Sequence, residues 1–226
     1  MADEYVGINP SDVTFLELLQ ESKNSAVFKV RVRGRMCVMK VYHDRGLSEC
    51  DPPDYDVNLF SRESSAYRRM KERGLYRQGV VPDFYGTITQ IQPTLWPSLH
   101  MFLQDKLAPN AVLIEYIPDA QQIDLSNFSK DYLVQLRDSL YSIHQAGVLH
   151  GDPKPRNMII SRKQNRVLWI DFDSAQTFSG NLSPRQNVWF KEENETMEYF
   201  IKALTQDHVD GRLSREYSYY YGWFPC

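Results

Sequence analysis

The chain has 226 residues, of which 42% are apolar and 24% are charged. This length and composition can bury a sizeable core, so we expect a folded chain organised as one domain or two small lobes. The net charge of -3 and the pI near 6.0 provide no strong positive field. These values argue against an extended nucleic-acid or anionic-membrane surface, and neither partner is indicated.

The three cysteines are Cys37, Cys50 and Cys226, and they lack the paired spacing of a disulfide framework or a zinc site. The first residues do not form a basic segment followed by an apolar one. No apolar run approaches the roughly 20 residues that are needed to span a bilayer. We therefore expect a cytoplasmic or nuclear protein that is not secreted.

Residues 1–118 are predicted to form a strand-rich first lobe. Its first three apolar segments are separated by short polar turns, as in an antiparallel meander. A helix is expected over residues 58–73, because good helix formers end there at Gly74. Residues 92–109 contain three prolines and are interpreted as a loop or insertion. The predicted strands of this lobe are residues 15–19, 26–32, 36–42, 80–88 and 111–117.

Residues 119–226 are predicted to form a second, mainly helical lobe. Leucine and isoleucine recur every three or four residues from about Ser129 to Gln145, which is typical of an amphipathic helix. After Ser179 we expect a loop until about Val188 and then a final helical stripe. The remaining predictions are a hairpin formed by residues 158–161 and 167–170, and no interpretation of the aromatic residues 217–223.

The segment from His150 to Asn157 reads H-G-D-P-K-P-R-N and follows the strongest predicted helix. A carboxylate at Asp152 can accept or orient a hydroxyl proton, and a cation at Lys154 can stabilise a phosphate. The amide oxygen of Asn157 can bind a metal ion. An Asp or Asn in a loop is commonly a turn or capping residue, so this segment alone leaves the structural interpretation open.

The segment from Val167 to Asp173 is an apolar strand that ends in two carboxylates, Asp171 and Asp173. With the preceding motif, it resembles the protein kinases, whose catalytic loop reads H-x-D-x-K-x-x-N and whose next strand ends in a metal-binding aspartate. The resemblance implies that Asp152 and Lys154 are catalytic and that Asn157 and Asp171 bind magnesium. Asp173 replaces a glycine of that motif, and it is interpreted as a structural cap or as a ligand of a second metal.

The resemblance extends into the first lobe, where Val38-Met-Lys-Val-Tyr42 resembles the kinase strand whose lysine contacts the phosphates of ATP. It implies this role for Lys40 and makes Glu63 its partner on the following helix, with Glu72 as the rival. Residues 111–117 resemble the kinase hinge. The carbonyl of Glu115 and the amide of Ile117 would then receive adenine.

Two features depart from ordinary protein kinases. Residues 21–26 contain no glycine where kinases have G-x-G-x-x-G, so Ser22, Asn24 and Ser25 are the candidates for phosphate contacts. Only residues 172–226 follow the metal aspartate, without an Ala-Pro-Glu segment. The chain therefore resembles small atypical kinases, among them RIO-type, lipopolysaccharide-kinase-like, aminoglycoside-phosphotransferase-like and small fungal kinase-like proteins.

The resemblance implies an α+β, protein-kinase-like bilobal fold with an antiparallel-sheet N-lobe and a shortened helical C-lobe. It also implies ATP- and Mg²⁺-dependent phosphoryl transfer to a hydroxyl acceptor, which is either a protein or a small molecule. One alternative is a catalytically weak or inactive kinase-fold protein that binds nucleotide and acts as a scaffold or regulator. A second is a haloacid-dehalogenase-like phosphatase that uses Asp171 and Asp173, although such a pair normally begins its fold. Acceptor specificity is expected in residues 44–56, 92–109 and 119–128.

Overall fold

A computed structural model describes residues 7–44, 46, 52, 55–213 and 215. Most of the predicted loop 44–56 and the aromatic residues 217–223 lie outside the described residues. The first half of the chain forms one antiparallel sheet from five strands: Val13–Glu21 (β1), Ser25–Val32 (β2), Arg35–Tyr42 (β3), Phe84–Ile88 (β4) and Asn110–Glu115 (β5). Their order across the sheet is β1-β2-β3-β5-β4, which confirms the predicted five-stranded lobe.

The prediction of a strand over residues 80–88 is wrong in its first part. Strand β4 begins only at Phe84, and Val80 and Val81 precede it in a bend. Pro82 separates the two parts, and a proline cannot donate a hydrogen bond to a strand ladder. The carbonyl oxygens of Val80 and Val81 instead accept hydrogen bonds from the second half of the chain.

The predicted first helix is confirmed as Leu59–Glu72 (α1). The Asn58 side chain caps it by accepting a hydrogen bond from the Ser61 amide at 2.9 Å. Gly74 follows with a φ of 75°, a conformation that favours glycine. The buried side of the helix carries Glu63, Ser64, Ala66, Tyr67 and Met70.

The insertion at residues 92–109 forms two short 3-10 helices, Pro93–Leu95 and Pro97–Phe102. Its buried side chains Trp96, Leu99 and Phe102 pack in one cluster with the β3 residues Cys37, Met39 and Val41. Alternate β3 residues, Val38 and Lys40, point to the other face of the sheet. The insertion therefore forms a second core on the face of the sheet opposite to Lys40.

The described part of the second half contains two α-helices and five short strands: Gln121–Gln122 (β6), Lys130–Gln145 (α2), Val148–Leu149 (β7), Met158–Ser161 (β8), Arg166–Trp169 (β9), Gln176–Thr177 (β10) and Pro184–Asp210 (α3). The β8–β9 hairpin and α2 confirm the predictions. Strand β6 adds to this hairpin and β7 pairs with β10. These two-residue strands are too short to show an alternating pattern in the sequence.

Helix α3 begins at Pro184, about four residues earlier than the expected start near Val188. The Ser183 hydroxyl accepts a hydrogen bond from the Gln186 amide, and the Gln186 side chain accepts one from the Ser183 amide. This reciprocal capping box, with proline at the first helical position, starts the helix. The sequence Ser-Pro-Arg-Gln at residues 183–186 carries this capping pattern, and it could have predicted the start of the helix.

Apolar residues of α2 and α3 form the main core with α1 and the hairpin. Leu136, Leu140, Met197 and Phe200 are fully buried there. An antiparallel-sheet lobe followed by a mainly helical part confirms the α+β, kinase-like bilobal fold. No helix within the described part of the chain is long and apolar enough to cross a membrane.

We predict that Trp96→Ala lowers the free energy of unfolding by about 3–5 kcal/mol, because it leaves a cavity in the second core. Leu95→Ala is the matched control on the same insertion, since Leu95 is 58% exposed. It should change stability by less than about 0.5 kcal/mol. Urea unfolding of both variants measures the difference, and equal losses would contradict the packing of the insertion.

Candidate active site

A cleft of about 590 Å³ lies between the five-stranded sheet and the second half of the chain. Its volume is in the range of small-molecule sites. One part is apolar and is lined by Val27, Val38, Ile114, Ile159 and Ile170. The other part is charged and contains Lys40, Glu63, Asp152, Asn157, Asp171 and Asp173. The structure thus brings six predicted polar groups from distant segments into one cleft.

The Lys40 ammonium is the centre of the charged part. It lies 3.2 Å from a carboxylate oxygen of Glu63, 2.5 Å from one of Asp171 and 3.0 Å from one of Asp173. Strand β3 supplies the lysine, α1 supplies Glu63, and the segment after β9 supplies both aspartates. Glu72, the rival partner, lies beside Arg69 at the other end of α1. Asp173 therefore contacts the lysine through Oδ2, and its Oδ1 accepts a local hydrogen bond from the Ser174 hydroxyl at 3.2 Å.

Burial and charge act against each other at this cluster. Burial alone would lower the pKa of Lys40, but the carboxylates of Glu63, Asp171 and Asp173 outweigh it and raise the pKa. Burial raises the pKa of Glu63 to about 7, against the opposing effect of the ammonium. Burial would also raise the pKa of Asp171, but the adjacent Lys40 lowers it. The ammonium stays charged, and the cluster keeps an excess of negative charge.

The catalytic-loop motif brings its three predicted residues together. The Lys154 ammonium lies 2.9 Å from Asp152 Oδ1. The Asn157 amide nitrogen donates to the backbone oxygen of Asp152 at 2.8 Å and to its Oδ2 at 3.0 Å. Arg156, which carried no prediction, also donates to Oδ2 from Nε and from a terminal nitrogen, at 3.1 and 2.6 Å.

His150 joins this loop to the segment between β9 and Asp171. Its Nε2 lies 3.1 Å from the carbonyl oxygen of Ile170, and its Nδ1 lies 3.4 Å from the Asp152 amide. Burial lowers the pKa of His150, so the ring is neutral near pH 7. A neutral ring with hydrogen on Nε2 satisfies both contacts.

Asp171, which follows Ile170, has a φ of 65°, and this value is uncommon for a residue with a side chain.

Glu193 of α3 is a site residue that the sequence analysis missed. Its carboxylate is buried and accepts hydrogen bonds from the backbone amides of His150 at 2.9 Å and Gly151 at 2.7 Å. His144 Nε2 lies 2.6 Å from the same carboxylate. Glu193 therefore fixes the backbone immediately before Asp152.

Gly151 has a separate steric requirement. A Cβ atom there would lie 2.1 Å from the carbonyl oxygen of Ser174, and the φ of Gly151 is 80°. Both observations exclude a side chain without movement of the backbone. The close approach brings the segment after Asp173 directly beside the loop that carries Asp152.

The predicted hinge residues Glu115 and Ile117 both line the cleft. The Glu115 carboxylate is engaged by the protein itself. It accepts hydrogen bonds from Arg166 at 2.7 Å and from the Asp83 amide at 3.1 Å. Arg166 also donates to the carbonyl oxygen of Val81 at 3.1 Å. The Glu115 side chain thus ties the hinge to the β8–β9 hairpin.

The turn between β1 and β2 is closed by Ser22. Its hydroxyl accepts hydrogen bonds from the amides of Asn24 at 3.2 Å and Ser25 at 3.1 Å. All three residues line the cleft, as expected from the sequence. The serine side chain occupies two of the amides that a bare glycine turn would present to a ligand.

Comparisons with known proteins agree with the kinase-like fold. Residues 106–186 match the family model described as lipopolysaccharide core biosynthesis protein (WaaY). The chain is 24% identical over 169 residues to serine/threonine-protein kinase PKH3 of Eremothecium gossypii, which covers 75% of the chain and 21% of that protein. It is 51% identical over 47 residues to the probable serine/threonine-protein kinase cdc7 of Dictyostelium discoideum, which covers 21% of the chain and 4% of that protein. These similarities support a protein-kinase-like superfamily for the chain.

This kinase-like chain also shares 32% identity over 129 residues with the citron Rho-interacting kinase of Mus musculus, which covers 51% of the chain and 6% of that protein. The chain therefore spans about a fifth or less of the length of these relatives. The three relatives are named as kinases, and the family model is described as a lipopolysaccharide core biosynthesis protein. They support a kinase-type phosphotransferase as the class of this kinase-like protein.

We predict a pH-dependent contribution of Glu63 to stability. The folded protein binds the Glu63 proton more tightly than the unfolded chain does, because the pKa is raised from 4.5 to about 7. This contribution is present in full below pH 4.5 and is lost as the pH rises through about 7. The advantage of the parent over Glu63→Gln in free energy of unfolding should therefore fall across this range.

Urea unfolding of both proteins at several pH values measures that difference. His150 acts in the opposite sense, because burial lowers its pKa, but it is common to both proteins and cancels. The contribution of Asp171 to stability also has the opposite pH dependence, because its pKa is lowered. This contribution changes only at pH values below the ordinary pKa of an aspartate. A difference that is constant between pH 4.5 and 7 would contradict the raised pKa of Glu63.

We predict that Glu193→Gln lowers kcat for the ATP turnover expected from the sequence by about 10- to 100-fold, because an amide nitrogen would face the loop amides and displace Asp152. The KM for ATP should change little, since Glu193 contacts neither Lys40 nor the hinge. Glu195→Gln on the exposed side of α3 is the matched control. Steady-state kinetics separate the two constants, and an equal rise in KM would contradict a positioning role.

Proposed function

We propose that the protein transfers the γ-phosphate of ATP to a hydroxyl acceptor in a Mg²⁺-dependent reaction. The main support is that Lys40 contacts Glu63 and Asp171 in the cleft that also contains Asp152 and Asn157. Phosphoryl transfer needs a cation for the phosphates, oxygen ligands for a metal and a carboxylate beside the acceptor hydroxyl. These groups account for all three needs.

The apolar part of the cleft suits the adenine ring. Val27 and Val38 lie on the sheet side and Ile159 lies on the opposite side, so a flat ring would contact both. The proposal assigns the Glu115 carbonyl and the Ile117 amide to the edge of adenine. Lys40 would then contact the α- and β-phosphates while Glu63 holds the ammonium in place.

The amide oxygen of Asn157 and the carboxylate of Asp171 would suit a magnesium ion. Asn157 donates from its amide nitrogen to Asp152, which turns its amide oxygen away from that carboxylate. The Asp171 side chain is 38% exposed and lines the cleft. No group of three or more His, Cys, Asp or Glu side chains forms a complete metal site within the described ranges. Magnesium commonly takes one or two protein ligands and completes its shell with phosphate oxygens and water.

When bound, magnesium would neutralise charge on the transferring phosphate. Among the residues of this chain, Asp152 would orient the acceptor hydroxyl and take its proton. Lys154 would leave Asp152 for the γ-phosphate and stabilise charge there. The proposal also keeps residues 1–118 and 119–226 as the two lobes, and a cytoplasmic or nuclear location on the basis of the cysteine spacing.

The nucleotide-binding scaffold remains the second candidate because of the turn at Ser22. This hydroxyl holds the amides of Asn24 and Ser25, so the turn presents fewer donors to phosphates than a glycine loop would. A phosphatase that uses Asp171 as nucleophile receives no support, since Asp171 and Asp173 both contact the Lys40 ammonium. Turnover of ATP separates the enzyme from the scaffold.

We predict that Asp152→Asn and Asp171→Asn each lower magnesium-dependent ATP turnover by at least about 100-fold. The first removes the proton acceptor and the second removes a metal ligand. Asp138→Asn is the matched control, because Asp138 lies on the surface of α2 with 65% of its side chain exposed. Turnover, ATP affinity by calorimetry and circular dichroism are measured for all four proteins.

A folded Asp171→Asn protein that consumed ATP at the parent rate would refute its role as a metal ligand. A parent protein that bound ATP with magnesium and gave no turnover with any acceptor would support the scaffold. The control should match the parent in every measurement, since its charge lies outside the cleft.

A further inference from the structure

A groove of about 640 Å³ runs along one side of helix α3, between Asn187 and Lys202. The helix rises about 22 Å over this stretch. Phe190 lines the groove with a buried ring, and Tyr199 lines it with a ring that is 38% exposed. The groove is therefore long enough to hold several residues of another segment, and aromatic side chains form part of its surface.

The chain beyond α3 turns back toward this groove. Gly211 ends the helix with a φ of 69°. The Arg215 amide donates to the Asp207 carboxylate at 3.0 Å, and the Arg215 carbonyl oxygen accepts from the Tyr199 hydroxyl at 3.0 Å. Tyr199 lies about two turns, or 12 Å, nearer the start of α3 than Asp207 does. Arg215 thus leads the chain from the end of the helix to a residue that lines the groove.

The side chain of Arg215 holds this position as well. Its guanidinium lies 3.0 Å from the carboxylate of Asp207, which is fully buried, and 2.6 Å from that of Asp210. A buried carboxylate with a close cationic partner keeps that partner in place. The point from which the next residues leave is therefore fixed by both the backbone and the side chain of Arg215.

The residues that follow, 216–226, lie outside the described residues. Their sequence is Glu-Tyr-Ser-Tyr-Tyr-Tyr-Gly-Trp-Phe-Pro-Cys, in which six of the eleven residues are aromatic and none is basic. Eleven residues span about 16 Å as a helix and at most about 36 Å when extended. The groove length falls between these two values, so this segment can cover most of the groove from its start at Arg215.

The chemistry of the groove suits aromatic side chains. A ring can pack on Phe190, and the aliphatic parts of Lys191 and Lys202 offer apolar surface at the edges, with ammonium groups that favour ring faces. Tyrosine hydroxyls can form hydrogen bonds with Asn194 and Glu198, which also line the groove. A contiguous run of aromatic residues left in water would form the kind of apolar patch that soluble proteins cover.

We infer that residues 216–226 dock in the α3 groove of their own chain, with aromatic rings packed against Phe190 and Tyr199. The groove lies behind part of the site already described. The Phe190 ring packs on His144 with a centroid distance of 4.9 Å, and His144 Nε2 lies 2.6 Å from Glu193. The docked segment would thus support the side of α3 from which Glu193 fixes the loop of Asp152. Docking itself does not depend on the proposed phosphotransfer.

The test uses NMR of the full chain with a nitroxide attached at Gly222→Cys. Cys50 and Cys226 are replaced by serine, and Cys37 is buried and shielded from the reagent. The nitroxide should remove the amide signals of residues 187–194, because unpaired electrons broaden nearby resonances. The signal of Val209, at the far end of α3, should remain. A nitroxide on Cys226 of a Cys50→Ser chain, with Gly222 retained, repeats the measurement.

Two sets of variants test what holds the segment. Replacing Tyr219, Tyr221 and Trp223 together by serine should lower the ratio of docked to free segment by at least about 10-fold, because the buried rings are lost. The signals of residues 187–194 should then return.

Asn194→Arg should have the same effect, because its long side chain fills the groove. Thr196→Arg is the matched control, since Thr196 is also half-buried on α3 but does not line the groove. This control should retain the broadening of the parent.

A second copy of the chain is the competing occupant. An isotope-labelled chain without nitroxide is therefore mixed with an unlabelled chain that carries it. Loss of the groove signals only in the mixed sample would overturn docking within one chain. Groove signals that persist with both nitroxide positions, or equal effects of Asn194→Arg and Thr196→Arg, would overturn the groove as the docking site.

Discussion

One buried ammonium connects the parts of the molecule that form the cleft. Lys40 is 12% exposed, and a charge at such a site is tolerated only with close partners of opposite charge. Its partners come from α1 and from the segment after β9, more than a hundred residues further along the chain. The position of the sheet, the orientation of the helix and the path of the aspartate segment therefore depend on the same contacts.

Further contacts hold α1 against the second half of the chain. Near its start, the backbone of Asp56 exchanges hydrogen bonds with the Gln176 side chain. Near its end, Arg69 donates to the carbonyl oxygens of Ala146 and Phe178. Because both ends of the helix are tied, the pairing of Lys40 with α1 does not depend on a ligand. Such preorganisation reduces the cost of ordering the site when a substrate binds.

The longer strands, α1 and α2 could be predicted because their signals are local, and the same holds for the residues that the structure brings together in the cleft. The apolar segments of the strands, the helical spacing of apolar residues and the motifs around Asp152 and Asp171 each lie within one short stretch of sequence. Glu193 could not be predicted in this way, since its contacts to the loop are to backbone amides, and every residue other than proline has one. Trp96 was hidden for another reason: the prolines around it indicate a loop, but they also form the 3-10 turns that bury it.

The Ser22 turn changes how a nucleotide would be held in the proposed function. A glycine loop surrounds phosphates with backbone amides, which carry no net charge and depend on loop conformation. Here Ser22 occupies two amides, so more of the phosphate charge would be balanced by Lys40, Lys154 and a metal ion at Asp171. Charge interactions weaken as salt is added, especially where a cleft is open to water. Nucleotide binding by this chain would therefore depend more on ionic strength and on magnesium than on closure of the turn.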